Sequence, residues 1–269
     1  MNDLAPFVRL VEALAPWESR LLFVGGWAHR LYRLHERATP LAYQPLATLD
    51  ADVAYARRER LDGDIRAALE AEGFHQQLTG SHQPPVSRYT LGEDGTTGFY
   101  AEFLTPLVGR AYAREGVPMA TEAQSGITAQ RLRYLDLLFL TPWSVTLGAD
   151  WGADAPLAVR IPNPVTFVVQ KLLIHPDRAA GKQAQDLLYI HDTLELFAAR
   201  LDELHVLWGE DIRPGMDPAW VRRLLQARTD VFGTLNDRIR DAGRIPQDRD
   251  LDPERMRAMC LEALGEILE

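Results

Sequence analysis

The chain has a single cysteine, Cys260, among 269 residues, so neither an intramolecular disulfide nor a cysteine-based metal site can be built from it. Long hydrophobic runs are also missing. Stretches such as Leu137 to Leu140 fall far short of the roughly 20 residues a membrane span requires. The opening Met1-Asn2-Asp3-Leu4 has no cationic stretch leading into an apolar run, as a secretory signal would. These absences predict a cytoplasmic protein with no membrane partner. Positive charge is in deficit, with 29 basic against 38 acidic side chains and a net charge of −9. That argues against a protein that coats nucleic acid nonspecifically, a mode that depends on phosphate neutralisation, but it leaves room for a local arginine patch. Lysine is nearly absent: Lys171 and Lys182 stand against 27 arginines. What remains is a mix of 46% hydrophobic and 25% charged residues, ordinary for a folded soluble protein. The length suits one large domain or two modest ones.

Apolar residues at 4, 7, 8, 11 and 14 have helical spacing, closed by Pro16. Leu21 to Val24 reads as a buried strand ending in Gly25-Gly26, with a helix expected over Trp27 to Arg37. Thr48 to Tyr55 reads as a strand. Asp64 to Glu72 reads as a helix, with Asp64 as N-cap and Gly73 at its end. Ser87 to Leu91 and Phe99 to Leu104, joined by the turn-rich 92–98, predict a β-hairpin. Leu132 to Leu140, Ser144 to Leu147 and Leu157 to Ile161 are further strand candidates. After Pro162 the pattern is helical only, at about 164–174, 182–208, 217–240 and 253–268, with Asn163-Pro164 as cap and first-turn proline. A boundary is therefore expected near 162.

Three features of the first part carry chemistry. The strand that ends in Gly25-Gly26 opens a helix, an arrangement in which backbone N–H groups can approach an anion with no Cβ in the way, and one that also arises for plain conformational reasons. Asp50 and Asp52, at i and i+2 of a strand, leave it on one face, where mutual repulsion favours a cation between them. Hard oxygen donors of this kind suit magnesium completed by phosphate oxygens, although an exposed strand end also carries aspartates at this spacing. Glu102, alone among Phe99, Tyr100, Ala101, Phe103 and Leu104, must be paired, protonated, metal-bound or turned to solvent. Asp136, between Leu135 and Leu137, is a rival third carboxylate by the same logic.

Phe23-Val24-Gly25-Gly26-Trp27-Ala28, Thr48-Leu49-Asp50-Ala51-Asp52-Val53, Ala101-Glu102-Phe103-Leu104-Thr105-Pro106 and Ile161-Pro162-Asn163-Pro164 through Lys171-Leu172-Leu173, in that order, resemble the nucleotidyltransferase superfamily of DNA polymerase β in its minimal bacterial forms. They look most like standalone nucleotidyltransferases related to AbiEii-type toxins. The resemblance implies an α+β fold: a nucleotidyltransferase-type mixed sheet with flanking helices, followed by a C-terminal helical bundle. A catalytic domain over 1–162 and a helical domain over 163–269 that completes the active site would follow. It implies that Gly25, Gly26 and Thr48 bind the nucleotide, and that Asp50, Asp52 and Glu102 hold two magnesium ions. It also implies that Glu102 orients or deprotonates the acceptor hydroxyl. The sequence departs from the superfamily in having Gly-Gly where Gly-Ser is commoner, glutamate where the third acid is usually aspartate, and a long segment between Gly26 and Asp50.

In a chain that uses arginine 27 times, the two lysines are candidates for positions where a compact point charge is wanted, or accidental survivors of a coding bias on solvated helix faces. The resemblance places Lys171 toward the triphosphate. It matches Lys182 and Asp186, an i, i+4 pair, to a Lys-x-x-x-Asp pattern that adds to the nucleotide site. His29 and His35 do not share a helix face, and His75 and His82 fall in a loop, so none forms a zinc set. Arg57, Arg58, Arg60, Arg110, Arg114, Arg131 and Arg133 could guide an RNA backbone or simply be solvated. The expected activity is magnesium-dependent transfer of a nucleoside monophosphate from ATP, CTP or another nucleoside triphosphate. The favoured acceptor is an RNA 3′ end, such as that of tRNA, in a toxin-like role with a cognate antitoxin. Transfer to a small molecule such as an antibiotic, or to a protein side chain, is the alternative, followed by an inactive nucleotide-binding module.

Overall fold

The computed structural model describes residues 4–80, 82, 84–92, 98–109 and 121–269. The turn residues 93–97 of the expected hairpin, and Arg110 and Arg114 of the arginine set, lie outside the described residues. The chain forms two compact units, one of Met1–Leu34 with Ala47–Ile161 and one of His35–Leu46 with Pro162–Glu269. Among the described residues no helix is long and apolar enough to cross a membrane.

The first unit is built on a mixed sheet in the order β1-β2-β5-β4-β3, formed by β1 (Leu21–Val24), β2 (Asp50–Tyr55), β3 (Phe74–Thr79), β4 (Val86–Leu91) and β5 (Tyr100–Pro106). β2 and β5 run parallel, whereas β1–β2, β4–β5 and β3–β4 are antiparallel. The far end of β5 pairs with β7 (Ile127–Leu132), which pairs with β6 (Thr121–Gln124). A separate two-stranded ladder joins β8 (Trp143–Leu147) and β9 (Leu157–Ile161).

Strand alternation gives the sheet two unlike faces. Ala51, Val53, Ala101, Phe103 and Tyr89 are all fully buried on one. α1 (Leu4–Leu14) and α2 (Gly25–Leu31) are fastened there by Phe7, which stacks on Trp27 at 3.8 Å and meets the edge of Phe23 at 5.2 Å. The other face is divided along its length. Leu22, Val24, Ala54 and Leu104 pack under Leu135 and Leu138 of a 3-10 turn, while Asp50, Asp52, Tyr100 and Glu102 are only half-buried. α3 (Ile65–Ala71) has the expected cap: the Asp64 carboxylate accepts from the Ala67 amide at 3.0 Å, and Gly73 follows with φ +80°.

Several expected elements are corrected. The helix after β1 begins at Gly25 and gives way at Leu31 to a 3-10 turn through Leu34. His29 on α2 is fully buried, not solvated, and His75 lies on β3, not in a loop. Residues 132–140 are not a strand, since β7 stops at Leu132 and Leu135–Phe139 form the 3-10 turn, with Tyr134 left-handed at φ 60°.

The second unit is helical. α4 (Pro164–Ile174) starts where the Asn163 side chain accepts from the Thr166 amide at 2.9 Å, and every residue from Pro164 to Leu173 is buried. α5 (Ala180–Leu196) touches α4, α8 (Asp237–Gly243) and α9 (Pro253–Leu268). α6 (Leu201–Leu207) and α7 (Pro218–Phe232) complete it, so the expected long helices over 182–208 and 217–240 are each broken in two. Phe197–Arg200 turn the first, and Gly233 ends the second before Asn236 caps α8 through the Ile239 amide. The segment 35–46 is a strap on this unit: the Thr39 amide donates to Leu196 O at 2.8 Å and the Gln44 amide to Asp248 Oδ2 at 2.9 Å.

Candidate active site

On the half-buried face of the first unit, β2 and β5 bring the predicted carboxylates together by register. Asp52 stands opposite Glu102 and Asp50 opposite Tyr100 in the parallel pair, so the three acids form a row on one face. β1 adds Val24 opposite Asp52, and the chain turns there into α2. Gly25 has φ +64°, and a Cβ on it would lie 2.5 Å from Asp52 Oδ2, so this position accepts no side chain without moving the carboxylate. Gly26 follows as the second residue of α2. The Thr48 hydroxyl, nearly buried, donates to Asp50 Oδ1 and fixes its orientation.

Two residues that sequence reasoning missed complete the row. Arg88 on β4 is the register partner of Glu102, and its Nε and Nη2 both reach Glu102 Oε1 at 2.8 Å. The guanidinium also lies 4.1 Å from the centre of the Tyr100 ring. Burial, with Asp50, Glu102 and Asp52 nearby and Arg88 opposing them, pushes the Tyr100 phenol above its usual range. Period-two alternation in Val86–Leu91 could have placed Arg88 on a sheet face, but pairing it with Glu102 needed the register. Asp136, the rival carboxylate, is exposed on the 3-10 turn and does not join the row.

A family model described as "Nucleotidyltransferase" matches residues 2–212. The chain belongs to the nucleotidyltransferase family. No curated protein matches it. Among solved structures it is similar to MenT4, nucleotidyltransferase toxin Rv2826c from Mycobacterium tuberculosis H37Rv, at 15% identity and a TM-score of 0.34 over 98% of this chain and 91% of that one.

In this nucleotidyltransferase the row fits magnesium in the chemistry of its donors, which are all carboxylate oxygens on a half-open face beside a glycine that leaves them room. Glu102 gives Oε1 to Arg88. Among the described residues, three metal-type ligand atoms lie within 4.8 Å of one another only at His191, Asp192 and Glu195 on α5 of the second unit. That group is balanced from within. Asp192 Oδ1 accepts from Arg249 and lies 2.9 Å from His191 Nδ1, and Glu195 Oε2 accepts from the Tyr43 hydroxyl at 2.6 Å. Arg249 also stacks on the Tyr43 ring at 3.2 Å. Burial, with Asp192 nearby and the hydrogen bond to Glu195, holds the Tyr43 phenol protonated. The cluster therefore ties the strap to α5.

The remaining predicted residues lie in the second unit. Lys171 on α4 is 5% exposed, and its Nζ meets Asp186 Oδ1 at 2.6 Å, with the Phe167 and Tyr189 rings at 5.0 and 4.8 Å. Arg178 Nε takes the other oxygen of Asp186 at 3.0 Å. Burial pushes the Asp186 carboxyl up, but Lys171 and Arg178 outweigh it and hold it below the usual range. The expected i, i+4 pair is corrected: exposed Lys182 donates to Gln185 at 3.2 Å, because Asp186 faces the interior of the unit.

Proposed function

We propose that this nucleotidyltransferase is magnesium-dependent and moves a nucleoside monophosphate from a nucleoside triphosphate to an acceptor hydroxyl, using the row on β2 and β5. The observation that carries the reading is the register that sets Asp52 beside Glu102, with Asp50 two residues away and Gly25 yielding space at Asp52. Asp50 and Asp52 would hold the metal, two ions being the expected number, and Glu102 would complete the site. When bound, magnesium offsets the charge on the attacking and leaving oxygens of an in-line displacement at the α-phosphate. Thr48 keeps Asp50 oriented for this task. Gly25 and Gly26 offer backbone amides to phosphate oxygens; lacking a serine hydroxyl, this turn relies on the amides alone. Glu102 orients the acceptor hydroxyl and accepts its proton as the new P–O bond forms and pyrophosphate departs.

For the acceptor we favour an RNA 3′ end, such as that of tRNA. Exposed Arg57, Arg58 and Arg60 follow the far end of β2, on the order of 16 Å along the strand from Asp52, where an extended acceptor could reach them and a small one could not. A toxin-like role and a cognate antitoxin belong to the same proposal and rest on the sequence motifs alone. A cationic small molecule is the second reading, favoured by the net charge of −9, which attracts it and repels RNA. The test is to incubate the protein with magnesium, each labelled nucleoside triphosphate, and total RNA or candidate small acceptors. Label is expected in RNA, lost with Asp52→Asn. Equal transfer by Asp52→Asn, or none by the wild type with any acceptor, overturns the reading.

A further inference from the structure

The charge of the row is not left bare. Arg88 reaches Glu102 Oε1 through two nitrogens at 2.8 Å while its guanidinium covers Tyr100, the register partner of Asp50. It is therefore held from two sides, by a carboxylate and by a ring, within the row of acids it neutralises. Its side chain is 34% exposed and that of Glu102 21%, so both remain accessible to a ligand on this face.

We propose that Arg88 is a positioning residue that couples metal loading to nucleotide binding, an inference that rests on the metal role of Asp50, Asp52 and Glu102 proposed above. A free divalent cation competes with the guanidinium for Glu102 and is repelled by its positive charge. The complex of a divalent cation with a nucleoside triphosphate carries net negative charge, and the same guanidinium attracts it. Arg88 thus disfavours the metal alone and favours the metal that arrives with nucleotide. It keeps Glu102 oriented on the face until then.

Removing the charge therefore moves two affinities in opposite directions, a pattern that general loosening of the sheet does not produce. One unit charge acting on a doubly charged ligand a few ångströms away changes binding on the order of tenfold even at the dielectric of water. The experiment measures manganese binding by electron paramagnetic resonance, and binding of a manganese-loaded, non-hydrolysable triphosphate analogue by calorimetry, on the full chain. Arg88→Met is expected to bind the bare ion about tenfold more tightly and the loaded analogue about tenfold more weakly. Arg88→Lys, which keeps the charge, is expected to restore both toward wild type. Affinities that move together, or that are the same in all three proteins, overturn the coupling. Asp52→Asn separates the two readings: manganese binding unchanged by that substitution overturns the metal row itself, whereas binding lost with it but indifferent to Arg88 overturns only the role of Arg88.

Discussion

The first unit places Asp50, Asp52 and Glu102 on a half-exposed sheet face, where the Arg88 guanidinium pairs with Glu102. The second unit buries Asp186 to 2% side-chain exposure and gives it two cations, Lys171 and Arg178, and it buries Asp192 as deeply beside His191 and Arg249. The contrast follows from desolvation. A carboxylate removed from water must be matched in place, because an unmatched buried charge costs several kcal/mol, whereas acids at a half-open face can keep an excess of negative charge with water as their partner. Excess charge at an accessible face is what a cation or a metal–phosphate complex can use. Matched charge in an interior is committed to the fold. The two regions therefore differ in what a substitution should change: chemistry in the first and stability in the second.

The sharpest way to break that distinction is Asp52→Asn. It keeps the size of a half-exposed side chain, so thermal stability should stay within about 1 kcal/mol of wild type. If Asp52 is the metal ligand proposed above, worth roughly 4 kcal/mol in the transition state, its loss should lower nucleotidyl transfer about 10³-fold. A rate assay paired with thermal melting checks both, and a stability loss matching the activity loss would erase the contrast. Lys171→Met is the converse. It strands one oxygen of Asp186 in the interior, and breaking a buried pair costs about 3–5 kcal/mol, so chemical denaturation should show the loss directly. An unchanged denaturation midpoint would remove the structural role assigned to this lysine.

The same contrast bears on how much of the molecule is legible in its sequence. α1, β1 and α4 follow from apolar spacing, because each has a clear stop or start: Pro16, Gly25-Gly26 and Asn163-Pro164. β3, β6 and β7 were not legible. Phe74–Thr79 is a strand of largely polar residues supported by β4, and 121–132 is mixed in character, so pairing decides the conformation. At the site, Asp50 and Asp52 announce themselves by spacing, and Glu102 by its apolar surroundings. The choice between Glu102 and Asp136 was open because it depends on which residue a parallel neighbour places beside Asp52, and register is not local information. Scarcity of lysine pointed to Lys171 as special, but composition cannot say whether a rare cation is kept for a ligand or for a buried partner such as Asp186.

Gly25→Ala probes the open region more gently than loss of a carboxylate. The substitution imposes a left-handed backbone on an L-residue, at about 1–2 kcal/mol, and drives its Cβ against Asp52 Oδ2. Stability should fall by about that amount, with a drop in transfer rate larger than the stability loss alone accounts for, because the displaced group is a proposed ligand. Rate and melting measurements on the same preparation separate the two. A normal rate would show that Asp52 yields without consequence and that the close approach is incidental.

The buried region supplies the prediction with the smallest effect at neutral pH. Burial raises the Asp186 carboxyl, but Lys171 and Arg178 bring its folded-state value below that of the unfolded chain. A depressed carboxylate stabilises the fold fully above the unfolded value of about 3.9, and that contribution is lost as pH falls through the lower folded value. Its share of the stability should therefore be flat from pH 7 down to about 5 and decline only below about 4. Arg178→Gln, which removes one of the two cations but leaves Lys171 in place, should raise the pH at which that decline is complete, because the folded value moves back toward the unfolded one. Denaturant melts at several pH values, comparing wild type with this variant, read the difference. Coincident acid limbs would mean that Arg178, at 38% side-chain exposure, is screened by water, and that Lys171 alone holds Asp186 ionised.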